Sequence, residues 1–279
     1  MCLFRKIAIF AAMKTKEEKF NFWFSAFLLT GMVLIAVYSF IYEAGKPEAR
    51  VLMQAIAGGA AVMGVTNTVL SANGSIWTFL FGLLDVVCCS IVYFDSGIMG
   101  TFALHVLYFL PMQFIGFWQW RKRGAGDRVV DTDGEVHEAK VQARRFTGKQ
   151  WAMVAGAFIV GTAIAFAILY GIDLAQFKAG RIAELDKAKI LLDSALVVLN
   201  ILGQVLLSLA FTEQWYLWIL VNIVSILLWT NRLISPDATG YTAVMLVKYV
   251  FYFLNSLNGL RIWLKLSSSH QIPEKRGCC

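Results

Sequence analysis

The sequence is poor in charge: Asp, Glu, Lys and Arg together make up 15% of its 279 residues, while 58% are hydrophobic. A soluble domain carries roughly 25% charged residues, so an ordinary water-soluble globule is excluded. Histidine is scarce too. Of the three, His105 falls in an apolar run, His137 in a polar stretch and His270 near the C-terminus, so no nucleophile, base or ligand cluster can be assembled around them. No GxSxG, HExxH or CxxC pattern occurs. No catalytic residue, metal site or cofactor is therefore expected, and the chain reads as something other than an enzyme. The five cysteines lack the spacing of a disulfide framework. Cys88 and Cys89 are adjacent within an apolar run, where free Cys acts as a small apolar residue. Cys278 and Cys279 end the chain without a CaaX pattern, and read as a plain tail rather than a lipid anchor.

What the chain has in abundance is long apolar runs. A membrane-spanning helix needs roughly 20 predominantly apolar residues, and eight stretches meet that test: 22–42, 51–71, 76–94, 98–120, 151–170, 190–211, 215–234 and 241–264. The expected fold is an all-α integral membrane protein with eight transmembrane helices. The net charge of +7 does not point to nucleic acid, because the basic residues are sorted by side rather than clustered with interleaved aromatics. With the N-terminus inside, the inside segments hold sixteen Lys and Arg, from Arg5 to Lys19, Arg121 to Lys149 and Lys265 to Arg276. The outside segments hold seven: Lys46, Arg50, Lys178, Arg181, Lys187, Lys189 and Arg232. This favours cytoplasmic N- and C-termini. A cleaved signal peptide is not expected, since the run after Lys19 is too long and lacks a small-residue cleavage site.

The spacing of the runs suggests segments. Residues 1–21 form a basic N-terminal segment, 22–42 an extra first helix, and 50–120 a bundle of three helices with very short links. A polar loop of mixed charge, 121–150, is expected to be solvated and cytoplasmic; it is followed by a lone linker helix at 151–172, a second bundle of three at 188–265 and a tail at 266–279. Short links force neighbouring helices to lie antiparallel. The pattern is 1+3+1+3, and a single crossing helix between the triplets makes the two bundles parallel repeats. The ends of the triplets agree. YFLPMQFIGFWQWRKRG (108–124) and NSLNGLRIWLK (255–265) superpose with Gly116 on Gly259, Trp120 on Trp263 and His105 on Lys248. Trp118 and Trp120, directly before Arg121, Lys122 and Arg123, are expected to anchor a helix end at the headgroup level.

Asp85, His105 and Lys248 are ionisable residues inside predicted spans, which is costly unless they face the bundle interior. They stand either as a proton relay or as a structural pair. A denser signal lies on the later helices: Trp215, Trp218 and Asn222 share one helix face, and Tyr252 and Asn255 share another with Asn258. Asn200 and Gln204 face together, and Gln113 occupies the matching region of the fourth span. Aromatic rings beside amides suit a flat heteroaromatic ligand carrying hydroxyls. The competing reading makes the tryptophans interfacial and the amides interhelical glue. Pro111, Gly116, Gly58 and Gly59 are either hinges or sites of close helix packing.

The run GLLDVVCCSIVYFDSGIMGTFALHVLYFLPMQFIGFWQWRK (82–122), the WYLWILVNIVSILLW helix (215–229) with its WxxW, and the closing YFLNSLNGLRIW resemble the PnuC family of vitamin B3 transporters. The resemblance spans roughly residues 50–265. It implies a SWEET-like arrangement of two three-helix bundles, a homotrimer embedded in membrane lipid, and a bacterial inner-membrane location. It also implies facilitated uptake of nicotinamide riboside, an NAD precursor, with trapping through phosphorylation by a cytoplasmic riboside kinase. By position, Trp215, Trp218 and Asn222, with Gln113 and Asn255, are the implied substrate contacts. Relatives of this fold carry thiamine, riboflavin or deoxynucleosides, so these ligands, proton coupling through Asp85 and His105, and a non-transporting scaffold are the alternatives.

Overall fold

Side-chain caps, rather than the first apolar residue, set where several helices begin. The computed structural model describes residues 15–46, 50–95, 99–130, 136–182, 184–234 and 240–269. The expected links at 95–97 and 231–240 fall partly outside these, and His270, Cys278 and Cys279 wholly so. Helix α1 (Lys16–Ala44) starts well before residue 22, because Thr15 and Glu18 form a capping box that satisfies two backbone N–H groups otherwise left without partners. Helix α6 (Gly148–Lys178) likewise starts on a box of Thr147 and Gln150. Between them lie α2 (Val51–Ala72), α3 (Thr78–Asp95), α4 (Met99–Leu104) and α5 (Leu110–Arg121). After α6 come α7 (Lys187–Ser208), α8 (Gln214–Leu233) and α9 (Gly240–Ser269). Seven of these are long and apolar enough to cross a membrane.

The expected fourth span is one helical run in two registers. Between α4 and α5, His105–Phe109 is a π-helical turn, with the Leu110 N–H bonding the His105 carbonyl. Pro111 follows at the start of α5. Proline has no N–H to give its preceding turn, and the one-residue bulge absorbs that break without ending the helix. Such bulges recur at functional sites.

Helix α2 packs on α1, α3 and α9; α8 packs on α7 and α9; and α5 leans on both α3 and α7. Helix α6 lies along α7 and buries none of its residues. At one end, Arg261 and Lys265 of α9 hold Glu17 of α1, the latter at 2.6 Å, and Arg261 also bonds Asn21. The start of α1 and the end of α9 therefore share one end of the bundle. At the other end Arg50 pairs with Asp95.

Two turns at the first end repeat each other bond for bond. After α2, the Gly74 N–H bonds the Ser71 carbonyl and the Ser75 N–H bonds Leu70; after α7, Ala210 bonds Leu207 and Phe211 bonds Leu206. Both are Schellman endings with a left-handed residue, Gly74 at φ 69° and Ala210 at φ 58°. Glycine takes that conformation freely. Ala210 tolerates it with its methyl fully buried in the aromatic cluster described below. Gly74→Ala should therefore lower stability by about 1 kcal/mol, read as an earlier thermal unfolding midpoint of the detergent-solubilised protein.

The stretch expected to be a solvated loop is instead folded against these turns. Arg128–Val130 and Val136–Glu138 pair as an antiparallel hairpin, closed by bonds between Gly126 and Ala139 and between Ala139 and Asp127. The chain then runs across both turns: the Val141 N–H bonds the Gly74 carbonyl at 3.0 Å, and the Arg144 N–H bonds Ala210 at 2.8 Å. Val141 and Ala143 point inward and Gln142 outward, a period of two that the surrounding charges conceal in the sequence. Arg145 and the Phe146 N–H both bond the carboxylate of buried Glu213.

Trp120 is corrected as well. It is fully buried, whereas Trp118 is 57% exposed with the Lys122 ammonium over its ring. The inward face of α5 is Gln113, Gly116 and Trp120, spaced three and four apart, so Trp120 turns into the core and only Trp118 fits the anchoring role. The Trp120 indole donates to the Leu207 carbonyl at 2.8 Å, and Trp263 donates to Ser71 at 3.0 Å. Trp120 of α5 thus caps the end of α7, and Trp263 of α9 caps the end of α2. The two rings lie 5.6 Å apart, with Phe79 against Trp120 and Trp215 against Trp263. Gly116 and Gly259 make room: a Cβ on Gly116 would overlap Phe79, and one on Gly259 would sit 2.6 Å from Trp215. Both glycines act here in packing. Gly58 lies close to Ala36, and nothing stands near Gly59.

Candidate functional site

Helices α2, α3, α7, α8 and α9 and the bulged helix between α3 and the hairpin enclose a cavity of about 210 Å³. Its position follows from the staple beneath it. Because Trp120, Trp263 and the two turns fill one end of the bundle, the polar residues one to three turns further along each helix face one another across open space.

Ten of the twelve polar and aromatic residues singled out from the sequence line this cavity; Asn255 and Asn258 do not. Trp215 and Trp218 supply aromatic wall from α8, and Tyr252 from α9. Trp215 is 2% exposed, with its ring wedged against Gly259. The Trp218 ring lies flat enough on α7 that a Cβ on Gly203 would come within 3.0 Å of it. The amides follow. Gln113 donates to the Phe109 carbonyl within the π turn at 3.3 Å, Asn200 donates to Leu196 and Asn222 to the Ser256 hydroxyl at 3.0 Å. Gln204 Nε2 and Trp215 Nε1 are buried donors with no partner among the described residues. Buried donors are normally satisfied, and both residues border the cavity. Tyr108 fixes the π turn itself by donating to the Ile201 carbonyl at 2.7 Å.

Asn255 is placed differently. It does not line the cavity, and its amide donates at 2.7 Å to the Thr68 carbonyl, which ties α9 to α2. Asp85, His105 and Lys248 do line it. Lys248 Nζ stands 3.8 Å from Asp85 Oδ1, which also accepts from the Cys89 thiol at 3.4 Å. The same ammonium lies 5.4 Å from the Tyr252 ring. His105 sits on the π turn between the rings of Tyr93 and Phe109, at 4.8 and 5.2 Å.

Sequence reasoning missed the contribution of α2. Asn67, Thr68 and Ser71 line the cavity, and Asn67 and Ser71 stand four apart in an apolar run. That is the same signal that picked out Asn200 and Gln204. Tyr93 and Tyr249 were also missed; tyrosines in a span carry no signal that separates a cavity wall from packing.

The geometry is that of a ring-and-amide pocket with one ion pair among the described residues, suited to holding a small polar aromatic molecule. Residues 54–265 match the family model described as nicotinamide mononucleotide transporter. The nicotinamide riboside transporter PnuC of Neisseria mucosa is 33% identical over 91% of this chain and 87% of the relative. The protein of the same name in Haemophilus influenzae is 27% identical over 91% of this chain and 96% of its own length. A crystal structure of the vitamin B3 transporter PnuC matches with a TM-score of 0.65 at 30% identity, over 88% of this chain and 93% of that one. The chain therefore belongs to the nicotinamide mononucleotide transporter family, that of the PnuC proteins, and is a membrane transporter rather than an enzyme.

Proposed function

We propose that this transporter carries nicotinamide riboside across a bacterial inner membrane by facilitated diffusion, with the riboside held in the cavity beside Trp215 and Trp218. The observation that supports the reading is the lining of one cavity by these two indoles together with the amides of Gln113, Asn200, Gln204 and Asn222. The pyridinium ring of the riboside is a cation, which indole faces attract, and its ribose hydroxyls match the amides. The family description names a mononucleotide and the relatives a riboside. The two ligands differ by a phosphate. A buried phosphate needs close cationic partners, and the one Lys or Arg among the described lining residues, Lys248, is already engaged by Asp85. This favours the riboside.

In this reading the helices form a 1+3+1+3, SWEET-like arrangement. The first triplet is α2, α3 and the run from α4 to α5, the linker is α6, and the second triplet is α7 to α9. The bond-for-bond repeat of the turns after α2 and α7 supports it, as does the reciprocal capping by Trp120 and Trp263. The end holding the hairpin faces the cytoplasm, in keeping with the basic residues gathered there. The assembly is a homotrimer, and phosphorylation by a cytoplasmic kinase keeps the riboside inside. The Asp85–Lys248 pair speaks against a free carboxylate relay, so uptake is uncoupled from protons. Proteoliposomes should show saturable uptake of labelled riboside that stops at equilibrium. An imposed pH gradient should not drive accumulation beyond it. The absence of saturable uptake would overturn the proposal.

A further inference from the structure

The ion pair is placed oddly for a structural strut. Asp85 belongs to α3 and Lys248 to α9, and these two helices do not pack along one another over any length. Both side chains line the cavity instead, at a loose 3.8 Å from each other. The two partners are not equally open: the Asp85 side chain is 18% exposed and that of Lys248 is 9%. Both contacts made by the carboxylate use Oδ1. Gly64 lies behind Oδ2, where a Cβ would come within 3.1 Å of it and would overlap the Tyr252 hydroxyl. No other Asp, Glu, Lys or Arg lines the cavity among the described residues. With His105 neutral, the formal charge of the lining is therefore zero, and it is zero only because both partners are present.

We propose that Asp85 is a charge-specificity residue: by neutralising Lys248 in the cavity wall it lets a cationic pyridinium nucleoside in, and without it the site prefers ligands carrying added negative charge. The inference rests on the riboside reading above. With no other charged lining residue to offset it, a single uncompensated ammonium acts on a ligand charge several ångströms away. It repels a pyridinium and attracts a carboxylate. The residue that meets the ligand's charge need not be the one that stacks on its ring, so this selectivity is separable from the tryptophans.

The test uses ligands of one shape and different charge. Nicotinamide riboside carries a net single positive charge, and nicotinic acid riboside replaces its carboxamide with a carboxylate and is net neutral. Dissociation constants for both are measured by tryptophan quenching on detergent-solubilised protein, for the wild type, Asp85→Asn, Lys248→Gln and the double variant. The readout is the ratio of the two constants, which does not depend on the fraction of folded protein. Asp85→Asn should move the ratio about tenfold or more towards nicotinic acid riboside, and Lys248→Gln should move it the other way. The double variant should return close to the wild-type ratio. If all variants bind both ligands with the wild-type ratio, or lose both in parallel, the assignment is overturned. Should Asp85→Asn bind neither ligand, the other two decide, and any result but an opposite shift and a restored ratio overturns it. A wild type that binds no riboside sinks the functional reading and this inference with it. A wild type that binds riboside while the ratios stay fixed sinks the inference alone.

Discussion

Trp218→Ala is expected to weaken riboside binding about 10- to 100-fold, equivalent to roughly 1.4–3 kcal/mol, as measured by titration calorimetry on the solubilised protein. The magnitude follows from the place of the ring. Trp218 lines the cavity at a point where Gly203 lets it lie close on α7, which fixes its orientation before any ligand arrives. A fixed face loses little freedom on binding. Removing it forfeits both stacking area and the attraction of the ring for a cationic pyridinium. Trp218→Phe should fall between wild type and Ala, because a benzene face is smaller but of the same kind. Trp118→Ala serves as the control: that ring is 57% exposed on the far face of α5 and its loss should leave affinity unchanged. Equal losses from the two alanine variants would remove Trp218 from the site.

The second large effect concerns stability. Trp120→Ala and Trp263→Ala should each cost about 3–5 kcal/mol, the range for deleting a fully buried Trp. Each indole fills the core and also satisfies a carbonyl at the end of the opposite first helix, Leu207 for Trp120 and Ser71 for Trp263. The rings are 5.6 Å apart, so the two losses should not add. A double-mutant cycle should give an interaction energy of the order of 1 kcal/mol. Chemical denaturation in detergent micelles measures all three variants. A Trp120→Ala protein as stable as Trp118→Ala would show that the ring does not hold α5 to α7 in this way.

Membrane character, the eight apolar runs and the ring-and-amide constellation were legible in the sequence because each depends on local residue type. Lipid permits only backbone that bonds to itself, so a run of apolar residues is nearly sufficient for a helix. Polar residues within such a run must face inward, and this is how Gln113, Asn200, Gln204, Asn222, Asp85 and Lys248 could be picked out before the cavity they line was in view. Trp120 was misplaced because its neighbours in sequence, Trp118 and Arg121, belong at the headgroup level while its own face of the helix does not. The order within the 121–150 stretch was not legible for a related reason. Its many charges describe its outer side, and the inward alternation of Val141 and Ala143 is only two residues deep.

The chain by itself determined that this protein crosses a membrane, where its helices run, and which polar side chains are too costly to leave in lipid. Only the tertiary structure decided which of those side chains meet. Asn255 and Asn222 look alike in sequence, yet one amide is taken up by the Thr68 carbonyl and the other borders the cavity. The physical reason is that helix periodicity fixes the face on which a residue lies, but the partner across that face is set by packing between helices far apart in the chain. Asp85 and Lys248, on helices that scarcely touch, are brought opposite each other by that packing alone.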